Sequence, residues 1–149
     1  MIDTFLKFIH FEKRYSPKTI QSYQTDLTQF QKYLESEFSG TAIQEANYSL
    51  VRSWVVSLVE AKLDSRSINR KIACLRSYYK FLMRQEIISA DPMVKIKILK
   101  TQKKLPHFVN ELDIVKLLDN VVFPEGYEGT RDRLILELFY GTGMRLAEL

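Results

Sequence analysis

Residues Ser65 to Gln85 read SRSINRKIACLRSYYKFLMRQ. The stretch holds six basic residues, Arg66, Arg70, Lys71, Arg76, Lys80 and Arg84, and no acidic one. At roughly 100° per residue, Arg66, Arg70, Arg76, Lys80 and Arg84 fall within an arc of roughly 120°. Ile68, Ile72, Leu75, Tyr79 and Leu82 fall opposite. This is a helix with one face for packing and one cationic face; Lys71, nearer the apolar arc, is the exception. Ser65, Ser67 and Asn69 lie at its start and carry short polar groups suited to phosphate or base-edge contacts. A solvated basic surface behind an ordinary serine cap has the same pattern. The lack of any acid over a helix this long favours a polyanion, and DNA above all.

The pattern extends toward the amino terminus. Ile2, Phe5, Leu6 and Ile9 mark a first helix to about Glu12. Ser16-Pro17 is a start signal, because serine caps and proline suits the first helical position. Ile20, Tyr23, Leu27, Phe30 and Leu34 then alternate spacings of three and four, which predicts a second amphipathic helix ending at Ser39-Gly40. Ser16, Lys18 and Thr19 stand beside the free N–H groups of its first turn, where a phosphate could sit; plain capping explains them equally well. Ser49 is expected to cap a third helix, with Val51, Trp54, Val55, Leu58 and Val59 inward. The helix from Ser65 or Ser67 is the fourth, and Asp91-Pro92 closes the unit. Four helices with short joints predict a compact bundle over residues 1–94.

Charge divides the chain. Residues 1–104 carry 18 Lys+Arg against 10 Asp+Glu, a net of +8, and residues 105–149 carry 4 against 8, a net of −4. A basic block followed by an acidic one points to two units with different partners, the first suited to a polyanion. The single cysteine, Cys74, excludes an internal disulfide and suits a reducing cytoplasm. No run approaches the roughly 18 apolar residues of a membrane span, and the start is not a secretory signal. One cysteine with His10 and His107 far apart makes no zinc set, so no metal is expected.

Residues 95–106 hold five lysines and no acid, among them Lys103 and Lys104, and are expected to form a basic linker. Asn110 caps a short helix containing Leu112, Val115, Leu117 and Leu118. Phe123-Pro124-Glu125-Gly126 is a loop. Thr130 opens a helix that is apolar nearly all round to Tyr140, the mark of a buried one. Gly141-Thr142-Gly143 breaks it, and Met144 begins another helix. Too little chain is at hand to cover the Arg131–Tyr140 helix, so the 149 residues are expected to be a fragment. Gly141-Thr142-Gly143 lacks the Lys-Ser/Thr of a nucleotide phosphate loop. A tight turn can instead hold the fork of Arg145 toward phosphate oxygens, with Glu148 three residues on to steady it. A helix corner with a surface Arg–Glu pair looks the same.

The run Arg131-Asp132-Arg133-Leu134 through Phe139-Tyr140-Gly141-Thr142-Gly143-Met144-Arg145-Leu146-Ala147-Glu148-Leu149 resembles the first catalytic-arginine segment of the tyrosine recombinases and phage integrases, especially the Xer type. Ser16-Pro17-Lys18-Thr19-Ile20 with Tyr23, Asp26, Leu27 and Phe30 resembles the opening of that family's core-binding domain. Ser67-Ile68-Asn69-Arg70-Lys71-Ile72 with Leu75-Arg76-Ser77-Tyr78-Tyr79-Lys80-Phe81-Leu82 resembles its last helix. The resemblance implies an all-α fold in this part: a four-helix SAM-like core-binding bundle over 1–94, a linker over 95–106, and over 107–149 the first helices of a mixed α+β catalytic domain. It implies clamping of duplex DNA and attack of a tyrosine on the scissile phosphate to give a 3′-phosphotyrosyl link. Neither metal nor cofactor is needed. The resemblance further implies that full-length protomers work as a tetramer on DNA.

Arg145 matches the first catalytic arginine, which stabilises transition-state charge, and Glu148 a supporting acidic position. The remaining catalytic residues would follow Leu149; Tyr140 is not the nucleophile. Met144 stands for the usual leucine and Gly141 for a frequent alanine. The DNA contacts expected from residues and resemblance together are Ser16, Lys18, Thr19, Ser65, Arg66, Ser67, Asn69, Arg70, Lys71, Arg76, Lys80, Lys103 and Lys104. A fragment of this kind is expected to bind DNA and to be inactive alone. The reading outside this family is a non-enzymatic helical module of a mobile element that binds DNA or protein.

Overall fold

The computed structural model describes every residue except 103, 104 and 106–109, and the described residues contain helices and no strand. Two compact units divide the chain, Met1–Gln102 and Lys103–Leu149. The first holds α1 (Ile2–Phe11), α2 (Pro17–Glu37), a 3-10 turn (Ile43–Glu45), α3 (Tyr48–Glu60) and α4 (Ser65–Arg84). The second holds α5 (Glu111–Asn120), α6 (Tyr127–Thr142) and a 3-10 turn (Leu146–Glu148).

The first unit is a bundle built around α4. Nine of its residues are buried, including all five of the expected apolar stripe. Phe5, Leu6 and Ile9 of α1, Leu27, Phe30 and Leu34 of α2, and Val51 and Trp54 of α3 close on it. Aromatic rings tie the elements together. Phe5 meets Tyr78 edge-on at 5.4 Å between centroids, and Phe30 meets Trp54 at 4.8 Å. Tyr79 donates its hydroxyl to the Ile43 carbonyl at 2.7 Å, pinning the short turn that links α2 to α3.

Several local expectations change. Asn47, not Ser49, caps α3: its Oδ1 accepts from the Leu50 N–H at 3.2 Å. Asp64, not a serine, caps α4 through the Arg66 N–H at 2.8 Å. Asp and Asn rank with or above Ser as caps, and each lies just ahead of the serine that draws attention in the sequence. Val59 is exposed rather than inward, because α3 turns its last residues to solvent. Lys62 and Glu86 adopt left-handed φ of 56° after α3 and α4. The Leu63 N–H then reaches the Leu58 carbonyl and the Ile87 N–H the Leu82 carbonyl, so helices end without glycine.

The first unit runs eight residues past the boundary expected at Val94. Met93 and Ile96 are buried against the bundle. The Asn69 side chain pairs with the Leu99 backbone in both directions, donating to its carbonyl at 2.9 Å and accepting from its N–H at 2.8 Å. Arg76 donates to the Ile96 carbonyl. The segment expected to be a basic linker is therefore strapped along α4 as far as Leu99.

In the second unit, α6 begins three residues earlier than expected and runs on through Gly141 and Thr142. Only Gly143, at φ 65°, leaves the helix. Beyond it the chain forms a single 3-10 turn rather than an α-helix. Leu134, Leu136 and Tyr140 are exposed, as are Leu112, Val115 and Leu117 of α5.

Candidate nucleic-acid interface

The outer face of α4 retains Arg66, Arg70, Lys80 and Arg84 as exposed cations, with the small side chains of Ala73 and Ser77 between them. No carboxylate of the described residues pairs with Arg66, Lys80 or Arg84. From Arg66 to Arg84 the ridge is about 27 Å long at 1.5 Å per residue. That is about eight base pairs of duplex axis. The Arg84 guanidinium and the Lys13 ammonium each lie 5.9 Å from the centre of the Phe8 ring, bringing a cation from the α1–α2 joint to the same end of the ridge.

Two of the six basic residues of α4 turn out to work inside the protein. Lys71 is only 4 % exposed. Its ammonium donates to Asp26 Oδ1 of α2 at 2.8 Å and to Gln29 Oε1. Arg76 holds the Ile96 carbonyl. Asn69 is likewise taken up by Leu99. Of the expected contacts on α4, the surface thus offers Arg66, Arg70 and Lys80; Ser65 and Ser67 are half-buried. At the start of α2, Ser16 accepts the Thr19 N–H at 3.3 Å and shares a 2.9 Å hydrogen bond with the Thr19 hydroxyl, while Lys18 is exposed. Lys103 and Lys104 lie outside the described residues.

Asp26 is the site residue that the sequence reading did not assign. It is fully buried, and besides Lys71 it takes a hydrogen bond from Nη1 of Arg70, whose side chain stays 45 % exposed. The signal was present as a contradiction: Asp26 sits on the apolar stripe of α2 and Lys71 near that of α4. Opposite charges on two inward faces call for each other. Cys74 lies beside this group, with Sγ 3.6 Å from the Tyr23 carbonyl. Burial first, and the Asp26 charge second, push its thiol well above the ordinary range.

In the second unit, Arg145 and Glu148 come together as expected. The Arg145 N–H donates to Glu148 Oε2 at 2.8 Å and its Nη1 to Oε1 at 2.9 Å. The side chain is 84 % exposed, so the guanidinium keeps free donors beside an open approach.

Residues 2–86 match the family model "Phage integrase, N-terminal SAM-like domain". The chain belongs to that family. Similar proteins to this integrase-family chain include the tyrosine recombinase XerC of Oceanobacillus iheyensis, 38% identical over 149 residues, which cover 99% of this chain and 48% of that protein. The tyrosine recombinase XerD of Staphylococcus haemolyticus is 35% identical, with 100% and 50% covered. Among solved structures, the integrase of mycobacterium phage Brujita superposes with a TM-score of 0.63 at 20% identity, over 99% of this chain and 47% of that one, a likeness of fold. The integrase-family chain spans about half the length of the curated relatives it matches. The recombinases among its relatives accord with the all-helical SAM-like bundle expected of the first unit. No helix among the described residues is long and apolar enough to cross a membrane.

Proposed function

We propose that this chain is the DNA-holding part of a site-specific tyrosine recombinase, which cuts and rejoins DNA through a 3′-phosphotyrosyl intermediate. The ridge of Arg66, Arg70, Lys80 and Arg84 on α4, without an acid in its length, carries the reading. It lies against the duplex, with Lys18 at the start of α2 adding a phosphate contact. Residues 107–149 belong to the catalytic domain. Arg145 stabilises the extra negative charge on the phosphorus in the transition state, and Glu148 positions its guanidinium. The whole protein assembles as a tetramer on DNA. The 149 residues bind duplex but form no covalent link. The recombinases among the relatives favour this over a non-enzymatic module.

The test is binding of fluorescent duplex across a salt series. Five to eight phosphates contacted give a slope of log affinity on log salt of about −4.5 to −7, at −0.9 per phosphate. Arg66→Glu with Lys80→Glu should flatten it; an unchanged slope places the binding surface elsewhere. On a nicked suicide duplex the chain should give no protein–DNA adduct. An adduct would show that the nucleophile is already present.

A further inference from the structure

One charged group in the bundle has a geometry that binding alone does not require. Asp26 is fully buried on α2, and two cations from consecutive residues of α4 converge on it, Lys71 from within and Arg70 from the surface. Lys71 donates to one carboxylate oxygen at 2.8 Å and Arg70 Nη1 donates to the other. Two cations against one carboxylate leave a net charge of +1, and the only member that reaches solvent is Arg70. Lys71 thus neutralises the carboxylate, and Arg70 is held at one corner without losing its charge to the surface.

An arginine that only attracts phosphate gains little from such a mount, since a swinging cation finds a phosphate from many directions. A fixed, planar fork has value where two donors must meet two acceptors at set positions. The major-groove edge of guanine, with O6 and N7, is that target. With one Nη1 hydrogen held by Asp26, donors remain on the outer edge of the guanidinium for two parallel bonds. Arg70 also stands in the N-terminal half of its helix, where a helix laid in the major groove meets base edges. Its neighbour one turn on, Ala73, is exposed and small enough to let the helix come close.

We propose that Arg70 reads a guanine in the major groove and that Asp26 is its positioning residue, with Lys71 the counter-charge that leaves Arg70 cationic. This rests on α4 being the DNA-binding face. Arg66, Lys80 and Arg84, which have no such mount, hold phosphates and carry little sequence information.

The experiment selects duplexes from a randomised pool with the 149-residue chain and sequences the bound fraction. The wild-type chain should enrich guanine at one position. Arg70→Lys keeps the charge and loses the fork, so that enrichment should disappear with the salt slope unchanged. Asp26→Asn should lose the same position with Arg70 intact. Lys71→Met, which leaves Asp26 to hold Arg70, should keep the enriched guanine. A triad serving only to join α2 to α4 would give Asp26→Asn and Lys71→Met the same selection profile. If Asp26→Asn does not fold, the double variant with Lys71→Met removes the stranded cation and must still lose the guanine. A guanine retained in the folded Asp26 variants, or absent from the wild-type selection, overturns the proposal. Failure of the wild-type chain to retain any duplex would instead overturn the DNA-binding reading beneath it.

Discussion

Asp26→Ala should be the most damaging single change in the first unit that removes no apolar contact. Its carboxylate is fully buried and is, among the described residues, the only charged partner of Lys71, whose side chain is 5 % exposed. After the substitution the ammonium keeps one acceptor, Gln29 Oε1. Arg70, nearly half exposed, can turn to water at small cost. The loss is therefore set by the stranded lysine, and breaking a buried pair in this way costs about 3–5 kcal/mol. Domains of this size have about 5–15 kcal/mol in all. At roughly 4–8 °C per kcal/mol the melting temperature should fall by at least 12 °C. Urea titration followed by circular dichroism measures it, provided the slope m is shared with wild type. Adding Lys71→Met should restore most of the loss, since a buried ion pair replaced by apolar groups is often neutral or stabilising. A cost below about 1 kcal/mol for Asp26→Ala, or no recovery in the double variant, would mean that Lys71 reaches water and that the pair is not a buried one.

Three further outcomes follow from the same structure. Cys74, Tyr79, Tyr78 and Tyr23 all have acid groups raised by burial, Tyr78 to about 12. Each stays protonated when folded and ionises on unfolding, so stability holds below pH 9 and falls as pH rises toward 12; denaturation midpoints at pH 8, 10 and 11 check this, and a flat profile refutes it. Gly129→Ala sets a Cβ 1.8 Å from the Pro124 carbonyl oxygen, whereas Gly141 has nothing within 4 Å of a new Cβ. The first should cost about 1–3 kcal/mol of α6 stability and the second add about 0.5–1, read by helicity on heating. Amides from Leu134 to Tyr140 should exchange much faster than those from Ile68 to Leu82, because α6 buries only Gly129 while α4 buries nine residues; equal protection would mean that α6 has cover these contacts do not reveal.

What the sequence made legible was periodic and local. The stripe Ile68, Ile72, Leu75, Tyr79 and Leu82 is buried as its spacing required, and Asn110 caps α5 through the Leu112 N–H as its position suggested. Helix ends were read less well, because Asp64 and Asn47 competed with nearby serines and because Lys62 and Glu86 end helices in a conformation usually left to glycine. The largest gap concerns which cations of α4 are free. Helical spacing puts Arg76 and Asn69 among the expected DNA contacts, yet both serve a backbone segment 20 to 30 residues further along the chain. Lys71 is consumed by a carboxylate 45 residues earlier. Such partners follow from tertiary packing, which no period in α4 can encode. The correction bears on function. Four cations rather than the expected five face outward from α4, and Asn69, which its residue type recommends for adenine, has its amide paired with a peptide group. On the proposed reading, base contacts by this helix therefore fall to the cation that the core both holds and leaves exposed. That cation is Arg70, which a carboxylate in another helix holds in place.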